Sequence, residues 1–218
     1  MITEFSVYDL ATSDEELKNI LKEIQNINLD TICVFLNHVK LVRNNLNNSN
    51  TKISTVIDYP LGISDTKSRV FMIEAAAKQG AEIINVVAQP HYLCNRKYDK
   101  FREDIKYVKE ACEKHGVELR YILEYRIFTY DLLYKVSLIL SGAGIQTIYP
   151  STGYFLDDIN DNILACALIN KKVKINIISN GNIWNQDQIH KIYKANLFGI
   201  KVNSVNALHL LQENKLNS

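Results

Sequence analysis

Short apolar runs alternate with longer stretches in which apolar residues recur at helical spacing, from one end of the chain to the other. The first run, 4–8, is β-prone. Ser13, with Glu16 three residues on, then carries the signature of a capping box, and Leu17, Ile20, Leu21 and Ile24 follow on one helical face. Residues 31–36 are continuously apolar, as in a parallel strand covered on both sides. A helix to about Leu46 and a polar turn at 47–50 follow. The run 53–59 ends at Pro60-Leu61-Gly62. Asp65 is placed to cap a helix over 67–79, and Gly80 stands where a left-handed C-terminal residue is wanted. Next come strand 82–88, a polar and aromatic loop over 89–98, and a charged helix to His115 closed by Gly116. The pattern continues with strand 117–125, helix 130–140, strand 146–149, a helix from about Asp157 to 170, strand 173–178, helix 185–195, strand 199–202 and a last helix 204–212.

Strand and helix alternate through eight units with no long linker, which predicts a parallel sheet. Eight units favour a closed ring over an open doubly wound sheet, and the G-x-G-x-x-G turn of a dinucleotide-binding sheet is absent. The expected fold is α/β, a single (β/α)8 TIM barrel over 1–218. Its site is expected where strands run into the following helices, at the C-terminal face. Ile148-Tyr149-Pro150-Ser151-Thr152-Gly153-Tyr154 is such a junction: a short β-prone run feeding a turn-forming Pro-Ser-Thr-Gly.

Composition narrows the partners. Lys plus Arg number 25 against 24 Asp plus Glu, so charge offers no argument for nucleic acid or an anionic membrane. No run approaches the ~18 apolar residues that span a bilayer. Met1-Ile2-Thr3-Glu4 lacks the basic-then-apolar start of a secretory signal, so a cytoplasmic protein is expected. Cys33, Cys94, Cys112 and Cys166 show no C-x-x-C spacing and are expected as reduced thiols. Histidines 38, 91, 115, 190 and 209 lack metal-ligand spacing, and neither metal nor cofactor is expected.

Several blocks then resemble the deoxyribose-phosphate aldolase family in order and spacing. Cys33-Val34-Phe35 is similar to the family's Val-Cys-Val strand, and Tyr59-Pro60-Leu61-Gly62 to its Phe-Pro-x-Gly. Glu74-Ala75, Gly80-Ala81, Ile122-Leu123-Glu124 and Ala143-Gly144 fall where the family has matching residues, and Ser151-Thr152-Gly153 is the most specific piece. The resemblance covers roughly residues 30–210 and is weak before that; the family's early Asp-x-Thr segment is missing. It implies the barrel, a sugar-phosphate substrate and, commonly, a homodimer.

The resemblance also implies three catalytic groups. A lysine amine forms an imine with the substrate aldehyde, a second lysine depresses its pKa, and an aspartate works with water in proton transfer. Their positions are held here by Tyr149, Ile178 and Asn85, none of which can take over those roles. The phosphate end is changed less. Of the family's paired glycines after the seventh strand, Gly181 remains and Asn182 replaces the other. The segment after the eighth strand reads Lys201-Val202-Asn203-Ser204, with Lys201 where a glycine lets phosphate approach. Gly153, Gly181, Asn182, Asn203 and Ser204 are therefore the expected ligand contacts, and Tyr149, Asn85 and Lys201 the residues at the old catalytic centre.

Each has a plainer reading. Tyr149 could be filler that packs the old site closed, Asn85 a satisfied buried amide, and Arg126 one half of a surface ion pair instead of a grip on an acidic ligand. The loop carrying His91, Cys94 and Arg96 gives only weak support for a nucleophilic pair. Arg120 and Tyr121 alternate along their strand, so one should point into the barrel, where an arginine would need a carboxylate or a ligand. Three functions stay open. One is a repurposed or silent pseudoenzyme binding a small phosphorylated or acidic metabolite. Another is a working lyase using an unusual lysine, with Lys201 the candidate by position. The last is a scaffold or partner of an active paralogue.

Overall fold

A computed structural model describes residues 1–47, 50–155 and 158–216, excepting the side chains of 215 and 216. The middle of the expected turn at 47–50, and Asp157, lie outside the described residues. Among the described residues eight strands run parallel in sequence order: β1 (Ile2–Val7), β2 (Thr31–Val34), β3 (Lys52–Ile57), β4 (Ile83–Val87), β5 (Glu118–Ile122), β6 (Thr147–Tyr149), β7 (Asn176–Asn180) and β8 (Gly199–Val202). β1 closes the ring on β8, with Phe5 opposite Val202. The molecule is a single (β/α)8 barrel.

The connections carry α1 (Asp14–Glu23), α2 (Val39–Asn45), α3 (Thr66–Gln79), α4 (Pro90–Cys94), α5 (Tyr98–Lys114), α6 (Tyr130–Gly142), α7 (Ile159–Asn170), α8 (Gln186–Lys194) and α9 (Val205–Leu216). Local signals set several boundaries. Ser13 and Glu16 form the reciprocal capping box of α1, and Asp65 accepts from Ser68 N–H at the head of α3. Gly80 ends α3 at φ 101°, a conformation that costs a side-chain-bearing residue more.

Where the outcome differs, backbone partners explain it. The loop expected over 89–98 contains α4, started by Pro90, whose missing N–H costs nothing in a first turn. β2 stops at Val34, because the chain turns into a short 3-10 segment, Leu36–His38. β5 ends at Ile122, although Leu123 and Tyr125 still donate to the carbonyls of Tyr149 and Pro150. β7 lies later than the apolar run 173–178 suggested, since buried Ser179 and Asn180 find side-chain partners and continue the strand.

Alternate strand residues face two different interiors. Residues such as Ile32, Ile84, Tyr121, Ile148 and Ile200 pack outward under the helices, Tyr121 edge-on to Phe101 of α5. Cys33, Val56, Val87, Ile122, Tyr149 and Ile178 cluster inside the ring, with Tyr8, Phe35 and Tyr59 against them. Outside the ring, fully buried Arg69 of α3 bridges Asp58 at 2.7 Å and Asp104 of α5 at 2.9 Å, tying the β3–α3 turn to the helical layer.

Candidate functional site

The inside of the ring answers the alternation along β5. Arg120 points inward, in register with Asn85 of β4. Its carboxylate is Glu4 of β1, which accepts from Arg120 Nη1 and, at 2.8 Å, from the Tyr149 hydroxyl. Arg120 also donates to Tyr149 Oη at 3.0 Å and to Glu118 at 2.6 Å. A carboxylate, a guanidinium and a phenol thus form a closed set in the barrel interior. Its polar atoms satisfy one another, as burial of charge demands. Burial, reinforced by the Glu4 carboxylate, pushes the Tyr149 phenol well above its ordinary range, so it stays protonated. Sequence reasoning missed Glu4; only its place in a β-prone first strand was visible.

Lys201 of β8 lies in register between Glu4 and Asn180 and is 2 % exposed. Its Nζ stands 4.0 Å from the centre of the Tyr149 ring, 5.4 Å from that of Tyr8, and 3.5 Å from the Tyr8 hydroxyl. No carboxylate lies within ion-pair distance of it among the described residues. Desolvation lowers its pKa from the usual lysine value, with Arg120 adding to the fall and Cys33 and Glu4 opposing it. Tyr8 Oη is also 2.8 Å from Cys33 Sγ, which accepts from Asn85 Nδ2 at 3.3 Å; Asn85 Oδ1 has no partner among the described residues.

Above Lys201 the barrel opens into a cavity of about 310 Å³ at the C-terminal face. Lys201, Gly153, Gly181, Asn182 and Asn203 all line it, together with Ser6, Tyr8, Asp9 and Asn180. Tyr59 and Tyr154 complete an aromatic side in which Tyr8 lies 5.0 Å from Tyr59. Tyr149 and Asn85 are not among the lining residues; Tyr149 meets the cavity-lining Lys201 through its ring. Ser204 is not among them either: its hydroxyl accepts from Ala207 N–H at 3.2 Å, at the start of α9.

The turn after β6 is held in place by protein groups. Glu124 accepts from both N–H and Oγ1 of Thr152, at 3.0 and 2.7 Å, while Asn180 Nδ2 donates to the Ser151 carbonyl at 2.9 Å. Asn162 of α7 takes a hydrogen bond from Ser179 at 2.8 Å and donates to Asn180. Gly153 sits at φ 73°, where a Cβ would also press on Asn180 at 3.2 Å. Glu124 is therefore a brace for the Ser-Thr-Gly turn. Arg126 pairs with Asp161 at 3.8 Å and stacks over Tyr125, an ordinary surface arrangement. Cys94 is exposed on α4, and its neighbour His91 contacts Lys97.

Comparison with known proteins places this architecture. The sequence pattern of the DeoC/LacD family aldolases matches residues 3–131, more than half of the chain. The chain belongs to the DeoC/LacD aldolase family. The match begins at residue 3, well ahead of the 30 or so where the motifs became visible, and ends before β6. Deoxyribose-phosphate aldolase 1 of Staphylococcus aureus is 27% identical over 180 residues, covering 83% of this chain and 81% of that one. The folds agree closely: a structure described as QR15, an aldolase, superimposes with a TM-score of 0.85 at 21% identity over 98% of this chain and 94% of its own. The deoxyribose phosphate aldolase of Aeropyrum pernix, described as tetrameric, gives 0.84 at 15% identity over 99% and 90%. Among the described residues no helix is long and apolar enough to cross a membrane.

Proposed function

We propose that this member of the family binds a small phosphorylated or acidic metabolite in the mouth cavity, and that imine chemistry at the sixth-strand position has been lost. The observation that carries the reading is Lys201: a buried amine at the cavity wall with no carboxylate within ion-pair distance among the described residues. A bound anion would supply the missing charge, and the turn residues Gly153, Gly181, Asn182 and Asn203 line the same space. Loss of the usual chemistry is supported by what fills its place. Tyr149 is fully buried, its hydroxyl is committed to Glu4 and Arg120, and a phenol forms no imine.

The family's aldolases suggest the ligands to try first: 2-deoxyribose 5-phosphate, glyceraldehyde 3-phosphate and inorganic phosphate. A ligand at 100 times its Kd should stabilise the protein by about 2.7 kcal/mol, read as a rise in Tm. Asn182→Asp, which sets a like charge beside the anion, should abolish the rise without altering the unliganded Tm much. Unchanged Tm with all three compounds would count against the reading.

A further inference from the structure

We infer that Lys201 is a carbonyl-capturing amine: the reactive lysine of this barrel stands on β8, where it takes a small aldehyde or ketone as an imine. The inference rests on the binding reading above for its substrate class, phosphorylated carbonyl compounds, and goes beyond it in assigning a covalent step.

Three observations converge. Among the described residues three lysine or arginine side chains are buried, and two of them, Arg69 and Arg120, are paired with carboxylates; the lysine has none within ion-pair distance. The same lysine is the one that lines the cavity. Burial also lowers the pKa of the side chain from the usual lysine value, with the fixed charge of Arg120 acting in the same direction against the opposing pull of Cys33 and Glu4. Tyr149 contributes a platform, its ring 4.0 Å from Nζ, while its hydroxyl is turned to Glu4.

In the step itself the Nζ lone pair forms a bond to the carbonyl carbon, and the carbonyl π pair moves to oxygen. A proton passes from nitrogen to that oxygen to give the carbinolamine, and the hydroxyl then leaves as water. Tyr8 is placed to carry these protons. Tyr8 lines the cavity, its hydroxyl lies 3.5 Å from Nζ and 2.8 Å from Cys33 Sγ, and burial keeps it protonated. It gives its proton to the departing hydroxyl and regains one from the nitrogen, so the balance is carbonyl plus amine to imine plus water.

Borohydride reduction of the intact protein with acetaldehyde, and separately with 2-deoxyribose 5-phosphate, tests this by peptide mass mapping. Both should leave one saturable reduced adduct on the Lys201 peptide. Lys201→Met, close in volume, should lose it, and Tyr8→Phe should slow its formation at least tenfold in protein whose urea transition shows it still folded. Absence of an adduct at Lys201 in the wild type, or labelling spread equally over surface lysines, would overturn the assignment whether or not the variants fold. A Tm rise with 2-deoxyribose 5-phosphate but no adduct would sink the amine and leave the binding reading standing. An acetaldehyde adduct at Lys201 with no Tm response to any phosphate would do the reverse.

Discussion

Two cations share the inside of this ring within reach of the same tyrosine, and they are treated in opposite ways. Arg120 is closed in by Glu4, Glu118 and the Tyr149 hydroxyl. Lys201 has the Tyr149 ring, a long contact to Tyr8, and the cavity it lines. A protein that buries a guanidinium with this many acceptors has met the cost of desolvation internally. One that buries an amine and leaves it against a cavity keeps that cost available to a ligand. Arg120 thus belongs to the architecture of the barrel, and Lys201 is the cation left to the proposed ligand.

Substitutions can break this contrast. The largest effect is expected at the saturated cation: Glu4→Gln leaves Arg120 without its interior counter-charge and should cost ~3–5 kcal/mol, seen as a lowered urea midpoint with unchanged slope. Tyr149→Phe removes one hydroxyl that both donates and accepts there, and should cost about 1–3 kcal/mol. Lys201→Met should move the other way, gaining about 1 kcal/mol at pH 7, because a buried polar group lacking a full hydrogen bond is removed. The smallest effect belongs outside the ring, where Arg126→Ala should change stability by ~0–1 kcal/mol.

Lys201 should also leave a mark on the pH dependence. Its folded pKa lies below the unfolded one, so between the two the unfolded chain binds more protons and stability rises with pH. The stabilisation associated with the neutral amine is complete above the unfolded value, ~10.4. It is lost as pH falls through the lower folded value. Urea midpoints of wild type and Lys201→Met should therefore converge toward alkaline pH. Parallel curves would mean that the amine is no worse solvated folded than unfolded.

Much of the barrel was legible because its signals are local: the capping box at Ser13, Asp65 ahead of α3 and Gly80 behind it all act within a few residues. The position of Tyr149 was legible through its neighbours, the Ser-Thr-Gly turn. Glu4 and Tyr8 were not. They lie on or just after β1, where no local motif distinguishes them, and their meaning comes from strands 116 and 193 positions away. Alternation showed that either Arg120 or Tyr121 faced inward. The register Asn85 to Arg120 and the packing of Tyr121 on Phe101 decide which. Glu124 was visible only as part of a family match, and its bond to Thr152, which joins two loops, has no sequence signature.

The difference in how the two cations are surrounded should show in the titration of one side chain, which can be measured directly. Carbon-13 NMR of the lysine ε-carbons, with Lys201→Met supplying the assignment, should show one lysine titrating clearly below the rest and shifting when 2-deoxyribose 5-phosphate is added. A Lys201 resonance that titrates with the surface lysines and ignores the ligand would contradict an unpaired amine facing a binding cavity.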